Sequence, residues 1–176
     1  AHNGHVGVAQ YLVGAGADLA AKDKFGSTAL MWAAQKGHIN VAQYLVGAGA
    51  DLAASNNVGW TPLMCAAENG HVGVAQYLVG AGADLAAKYQ FGKTALMFAA
   101  QKGHVDVAQY LVGAGADLAA SNNDGWTALM FAAQKGHVDV AQYLVEAGAE
   151  LDAKDQWHQT ALMFAAQEGH VEVAQY

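Results

Sequence analysis

Arginine is absent from the 176-residue chain, so all eight of its basic residues are lysine. Arginine supplies the bidentate donor fork on which recognition of phosphates and base edges relies. The formal net charge of -7 argues in the same direction, because release of counterions from nucleic acid requires a basic protein surface. The composition therefore argues against nucleic-acid binding.

Cysteine and long apolar runs are also scarce. The single cysteine, Cys65, excludes an internal disulfide and fits a reducing compartment, which predicts a cytoplasmic or otherwise intracellular location. No apolar run approaches the roughly 20 residues that a bilayer requires, and no basic-then-apolar leader opens the chain, so no membrane contact is predicted. Charged residues make up only 13% of the chain, whereas the 54% of apolar residues can fill the core of one domain.

A 33-residue period runs through the whole chain, and six histidines mark it: His5, His38, His71, His104, His137 and His170. It divides the single array 1–176 into a partial copy 1–22, full copies 23–55, 56–88, 89–121 and 122–154, and a partial copy 155–176. Each full copy contains two apolar segments at helical spacing, the first preceded by threonine and the second followed by glycine. Helices this short need stacked neighbours, which predicts an all-α repeat solenoid.

These copies resemble the ankyrin repeat family, whose signature has the form T-P-L-H-x-A-A, followed by G-H and later by G-A-D. The stretches "TPLMCAA", "GH" and "GAGADL" match it in spacing. The resemblance implies helix-turn-helix units with projecting β-hairpin fingers, stacked into a curved array that binds other proteins on its concave face. Methionine replaces the signature histidine in every copy, so packing must replace the hydrogen bonds of that histidine. In the last copy His158 replaces the turn glycine, which predicts a strained and distorted finger.

Three features of the repeats suggest nucleotide binding, metal binding or catalysis, but a structural role in the repeat explains each of them better. The segment "GAGADL" lacks a preceding strand and a third glycine at Leu19, so it is predicted to end a helix and not to bind a dinucleotide. The registered histidines would stand roughly 10 Å apart, which is too far for a shared metal, and each is predicted to bond local backbone. Cys65 lies on an apolar helix without an activating base. The sequence therefore predicts no enzyme activity, no metal and no cofactor.

The copies differ mainly in their fingers and at the ends of their first helices, which indicates where a protein partner binds. The predicted protein-binding residues are Lys24, Phe25, Lys36, Asn57, Trp60, Glu68, Gln90, Phe91, Lys93, Lys102, Asn123, Asp124, Trp126, Lys135 and Trp157. An alternative is that the finger aromatics pack on neighbouring fingers. The lysines fall on the fingers, their approaches and the ends of the first helices, whereas ten acidic residues fall on the second helices and the loops that follow. This distribution predicts a mildly positive concave face and an acidic back.

Residues 23–88 align with residues 89–154, so that finger types alternate every 66 residues. This pattern indicates duplication of a two-repeat block, in a natural or an engineered repeat protein. The first function predicted is a protein-interaction scaffold. The alternative is an array that stacks end to end, because neither end of the sequence has a polar capping repeat and both should expose apolar surface.

Overall fold

The computed structural model of the chain describes residues 6–174; His5 and the ends of the two partial copies lie outside this range. The described residues form short helices only, and their bounds are α1 Val6–Gly14, α2 Ala29–Gln35, α3 Ile39–Gly47, α4 Pro62–Glu68, α5 Val72–Gly80, α6 Ala95–Lys102, α7 Val105–Gly113, α8 Ala128–Lys135, α9 Val138–Glu146, α10 Ala161–Glu168 and α11 Val171–Ala174. The first helices of the repeats, α2, α4, α6, α8 and α10, begin at intervals of 33 residues. The predicted all-helical repeat solenoid is confirmed.

Threonine starts every first helix. In α4, for example, Thr61 adopts an extended conformation and its Oγ1 accepts a hydrogen bond from the amide of Met64 at 3.4 Å. This bond satisfies one of the amide groups that have no partner within the helix, and Pro62 stands at a position where no amide is needed. Met64 itself is 1% exposed. Packing of the methionine thus takes the place of the hydrogen bonds expected from histidine, as the sequence predicts.

The helices form two layers. Successive first helices pack against one another, the second helices α1, α3, α5, α7, α9 and α11 do the same, and each first helix packs against the second helix that follows it. Alanines such as Ala66, Ala99 and Ala132 are fully buried in the first layer, where their small side chains let neighbouring helices approach closely. Leucines such as Leu78 and Leu111 fill the second layer. The core therefore runs along the array without interruption.

The registered histidines connect neighbouring repeats. Nε2 of His104 lies 2.9 Å from the carbonyl oxygen of Glu68, which is 36 residues earlier, in the last turn of α4. His71, His137 and His170 make the equivalent contact. Because a carbonyl oxygen can only accept, Nε2 is the protonated nitrogen in this pairing. The expected bond to local backbone is therefore wrong in one respect: the backbone belongs to the preceding repeat, where a helix end lacks a partner.

The fingers are turns, and residues 6–174 contain no β-strand. They comprise residues 23–27, 56–60, 89–93, 122–126 and 155–159, and in each the first amide donates to the fifth carbonyl at 3.0–3.2 Å. Each following finger donates one backbone hydrogen bond to the finger before it, for example from Asn57 N to Phe25 O at 3.0 Å. The β-hairpins implied by the resemblance are thus reduced to five-residue turns, which are too short to form paired strands.

The last finger keeps this turn although His158 replaces glycine. The φ angle of His158 is +62°, a region that strains residues with a Cβ, but the hydrogen bonds from Asp155 to Gln159 and from His158 to Asp155 are both formed. The predicted distortion is therefore wrong, whereas the predicted positive φ is found. At Gly26 a Cβ would lie 2.7 Å from the backbone nitrogen of Asn57 in the next finger. His158 has space because no further finger of the described chain stands against it.

Candidate protein-binding face

The finger tips, which are the third residues of the fingers, include three exposed aromatic side chains. The third residue of a finger is Phe25, Phe91 or Trp157 in three repeats, and these side chains are 57%, 55% and 60% exposed. Aromatic residues, tryptophan above all, are enriched at the centres of protein interfaces. The tips therefore offer three separate aromatic contacts along one edge of the array.

In four of the five fingers the backbone is fixed by the side chain of the first finger residue; the exception is finger 89–93, which begins with Tyr89. In finger 56–60 the Oδ1 of Asn56 accepts hydrogen bonds from the amides of Val58 and Trp60 at 3.1 and 2.9 Å. Asp23, Asn122 and Asp155 make the same two bonds in their own fingers. Since each finger is also bonded to its neighbour, the tips keep a fixed spacing and little conformational entropy is lost on binding.

The side chains at the fifth finger position alternate along the array with the aromatic rings of the first helices, and this row of side chains is called the ladder below. The ring of Trp60 lies 4.5 Å from that of Phe98, and the ring of Trp126 lies 5.1 Å from Phe131 and 4.2 Å from Phe164. Phe98, Phe131 and Phe164 are at most 4% exposed, so the fifth residue acts as their cover. Trp60 and Trp126 are half-buried in consequence. They pack on neighbouring repeats, and each keeps a part of its surface in solvent.

Lys93 occupies the same ladder position between the two tryptophans. Its Nζ lies 5.5 Å from the centre of the Phe98 ring and 4.4 Å from that of Phe131, and it donates to Gln101 Oε1 at 2.9 Å. Both ring distances are short enough for cation–π attraction. Burial lowers the pKa of the Lys93 amine, and the negative charge of Glu68 acts in the opposite direction. Lys93 thus places its amine over two rings, where the side-chain amide of Gln101 accepts a hydrogen bond from it.

The ladder is interrupted at Ser27. The serine side chain is too short to cover the aromatic residue of its own helix, and no described finger precedes it to cover Trp32 as Trp60 covers Phe98. Trp32 is 42% exposed, whereas the equivalent Phe98 is 3% exposed. A groove of about 320 Å³ lies at this place; its lining includes Phe25, Ser27, Trp32, Gln35, Trp60 and Cys65. The indole Nε1 of Trp32 donates to Asp23 Oδ2 at 3.1 Å, which fixes the ring at the groove wall.

The remaining predicted site residues surround the fingers and the ends of the first helices. Exposed side chains belong to Lys24, Lys36, Asn57, Gln90, Lys102, Asn123, Asp124 and Lys135, and Glu68 is half-buried. Lys102 Nζ lies 3.5 Å from Glu68 Oε1, an ion pair between neighbouring repeats whose exposure limits its contribution to stability. Asn57 and Asn123 each donate from the side chain to the backbone of the preceding finger. The two asparagines therefore support the fingers structurally.

Hydrogen bonding, burial and charge shift the pKa values of two side chains near this face, Asp23 and Cys65. Hydrogen bonds from the finger backbone, above all from Ser27, lower the pKa of Asp23. Burial raises the pKa of the Cys65 thiol to about 12, and the nearby charge of Glu68 acts in the same direction. Cys65 is therefore a neutral packing residue at neutral pH and not a thiolate nucleophile. Within residues 6–174 no group of three or more histidine, cysteine or acidic side chains is arranged to hold a metal ion.

The fold agrees with the family comparison. The family model described as ankyrin repeats (3 copies) matches residues 1–89, 81–155 and 121–176. These matches together span the whole chain. The chain belongs to the ankyrin repeat family. Ankyrin repeats generally mediate protein–protein interactions. A comparison with curated proteins gave no significant match.

One feature of this ankyrin array, the groove at Ser27, was not predicted from the repeat pattern of the sequence. The groove at Ser27 depends on a small residue beside a large one, and neither residue type alone indicates a cavity. The available signal was the alignment of the two-repeat blocks, which sets Ser27 against Lys93 and Trp32 against Phe98.

No helix in the described part of the ankyrin array has the length and apolarity to cross a bilayer.

Proposed function

We propose that this ankyrin array is a non-enzymatic protein-interaction module that binds a protein partner on its finger face, and that it binds neither nucleic acid nor membranes. The finger face comprises the five fingers and the exposed ends of the first helices. The observation that carries the proposal is the exposure of Phe25, Phe91 and Trp157 on fingers whose backbones are bonded to one another. A partner that buries these three rings gains apolar contact at fixed spacing.

The lysines at the ends of the first helices support binding of a partner with acidic or polar-aromatic side chains. Lys36, Lys102 and Lys135 are exposed, and the charges of Lys102 and Lys135 act on Lys93 in finger 89–93. Acidic residues such as Asp106 and Asp139 stand instead in the first turns of second helices, where they also favour the helix dipole. The separation of charge favours approach of the partner from the finger side.

The experiment compares two triple variants as baits for a partner recovered with the unmodified chain. Phe25→Ser, Phe91→Ser and Trp157→Ser together remove the tips; Gln43→Ser, Gln76→Ser and Gln109→Ser, which are exposed on second helices, form the matched control. The tip variant is expected to lose at least about tenfold in affinity, because three rings leave the interface. Equal affinity of both variants would contradict the proposal.

Trp60 and Trp126 are less suitable for this test. Their rings cover Phe98, Phe131 and Phe164, so an alanine at either position would open the core as well as change the surface.

A second candidate function, end-to-end stacking of arrays, rests on apolar side chains exposed in the terminal helices. Val8, Tyr11 and Leu12 in α1 are 56%, 75% and 51% exposed. Leu162 and Met163 in α10 are 58% and 52% exposed. Light scattering over a range of concentrations tests the candidate: stacking predicts a mass that rises with concentration and falls again in Leu162→Gln, and a constant monomer mass contradicts it.

A further inference from the structure

We infer that the groove at Ser27 is a receptor site for a lysine side chain of the protein partner. The inference rests on the proposed function and specifies one contact of that interface. The argument starts from Lys93, which fills the equivalent space in the next two-repeat block.

The groove at Ser27 and the surroundings of Lys93 are built from equivalent residues. Trp32 corresponds to Phe98, Cys65 to Phe131 and Gln35 to Gln101, each 66 residues apart. The groove thus keeps an aromatic ring at the position of Phe98 and has a thiol in place of Phe131, the ring nearer to Lys93 Nζ. In the second block the space between these residues is filled by the side chain of Lys93, whose Nζ lies over two rings and bonds Gln101 Oε1. In the first block the same space is the open groove of about 320 Å³, because Ser27 and Cys65 are smaller than Lys93 and Phe131.

The chemistry of the open groove suits an ammonium group. Trp32, exposed at the groove wall, offers the aromatic ring type that attracts cations most strongly, and Gln35 lines the groove where Gln101 accepts from Lys93. Asp23 holds the indole nitrogen of Trp32 at 3.1 Å, so a carboxylate stands beside the ring. The charge of Glu68 reaches Cys65 in the groove lining. No lysine is among the residues that line the groove.

Burial and charge also distinguish lysine from an apolar occupant. The methylene stem of a lysine would cover Trp32, as Lys93 covers Phe98, and would remove apolar surface from water. An apolar side chain would make the same contact but would not donate a hydrogen bond to Gln35 in the groove lining. The groove therefore favours a long side chain that ends in a positive charge.

The test begins with a phage-displayed library of random linear peptides, selected on the unmodified chain with an excess of the Ser27→Lys variant as soluble competitor. The variant is expected to fill its own groove as Lys93 does, which a changed chemical shift of the Trp32 indole proton verifies. Selected peptides are then synthesised with each lysine in turn replaced by norleucine, which keeps the stem and removes the charge. Affinities are measured by fluorescence polarisation.

The inference predicts that one lysine of a selected peptide is required. Its replacement by norleucine should weaken binding by about tenfold, and Ser27→Lys should weaken binding of the original peptide to a similar extent. Gln159→Lys is the matched control, since it adds the same charge at the fifth position of another finger and leaves the groove open. This control should bind like the unmodified chain.

Three results would overturn the inference: no peptide that distinguishes the chain from Ser27→Lys, selected peptides that depend on an aromatic ring, or norleucine peptides that bind as well as lysine peptides. None of these results would remove the proposed function, which fails separately if the finger-tip variant keeps its affinity for the partner. The two proposals are therefore tested by different residues.

Discussion

Three glycines of one repeat allow a test of why glycine is needed at particular positions of the scaffold. Gly113 is the last residue of α7, Gly115 lies in the turn after it with φ +97°, and Gly103 ends α6 with φ +75°. A Cβ at Gly113 or Gly115 would have nothing within 4 Å, whereas a Cβ at Gly103 would lie 2.6 Å from Nδ1 of His137. The three positions thus separate helix propensity, backbone strain and steric contact.

Replacement by alanine should change the free energy of unfolding in opposite directions. Gly113→Ala should stabilise the protein by about 0.5–1 kcal/mol, because the helical backbone accepts alanine and the unfolded chain loses freedom. Gly115→Ala should destabilise it by about 1 kcal/mol through strain alone. Gly103→Ala should cost about 2–3 kcal/mol, since the ring of His137 must move and its bond to the Gln101 carbonyl at 3.1 Å is lost as well.

Urea unfolding at equilibrium measures these differences, followed in parallel by far-ultraviolet circular dichroism and tryptophan fluorescence. Coincident transitions are required, because repeat arrays can unfold in parts. The double variant Gly103→Ala, His137→Ala removes the contact, so the additional effect of the alanine at position 103 should fall to that of Gly115→Ala. A stabilising Gly115→Ala, or equal effects at Gly103 and Gly115, would refute the reasoning.

Three further predictions concern single side chains. The Cys65 thiol, with a pKa of about 12 and 6% exposure, should react with Ellman's reagent at mildly alkaline pH only after unfolding; rapid reaction of the folded protein would contradict its burial. His104→Ala should lower the free energy of unfolding by about 1–2 kcal/mol, because the Glu68 carbonyl loses its donor; an unchanged urea midpoint would disprove this contribution. Asp23 has a folded-state pKa below its ordinary value of 3.8, so its stabilisation is complete above that pH and is lost as the pH falls through the folded-state pKa. The stability difference between the unmodified chain and Asp23→Asn should therefore vanish in acid, and a difference that persists there would contradict a charge effect.

The sequence predicts the helices well because their signals are local. Thr61 and Pro62 mark the start of α4 within two residues, and the glycine after each second helix marks its end. The partner of His104 could not be predicted in this way, since the carbonyl of Glu68 lies 36 residues earlier and only stacking brings the two together. The fingers differ for another reason. Five residues are enough for one turn, and the single bond from Asn57 to Phe25 links two fingers without building a sheet.

Prediction of the binding face depends on which finger positions the scaffold itself uses. The first finger residue holds the turn through its side chain, as Asn56 does, and the fifth covers the first-helix ring, as Trp126 does. The third residue takes part in the inter-finger bond only through its backbone, so Phe25 could be replaced by another residue without loss of that bond. The ring of Phe25 contacts Lys24 Nζ at 4.8 Å, and that of Phe91 lies 5.3 Å from Tyr89, but both remain more than half exposed and so accessible to a partner. Ser27 is the exception at the fifth position, because its side chain is too short to cover Trp32, which is 42% exposed.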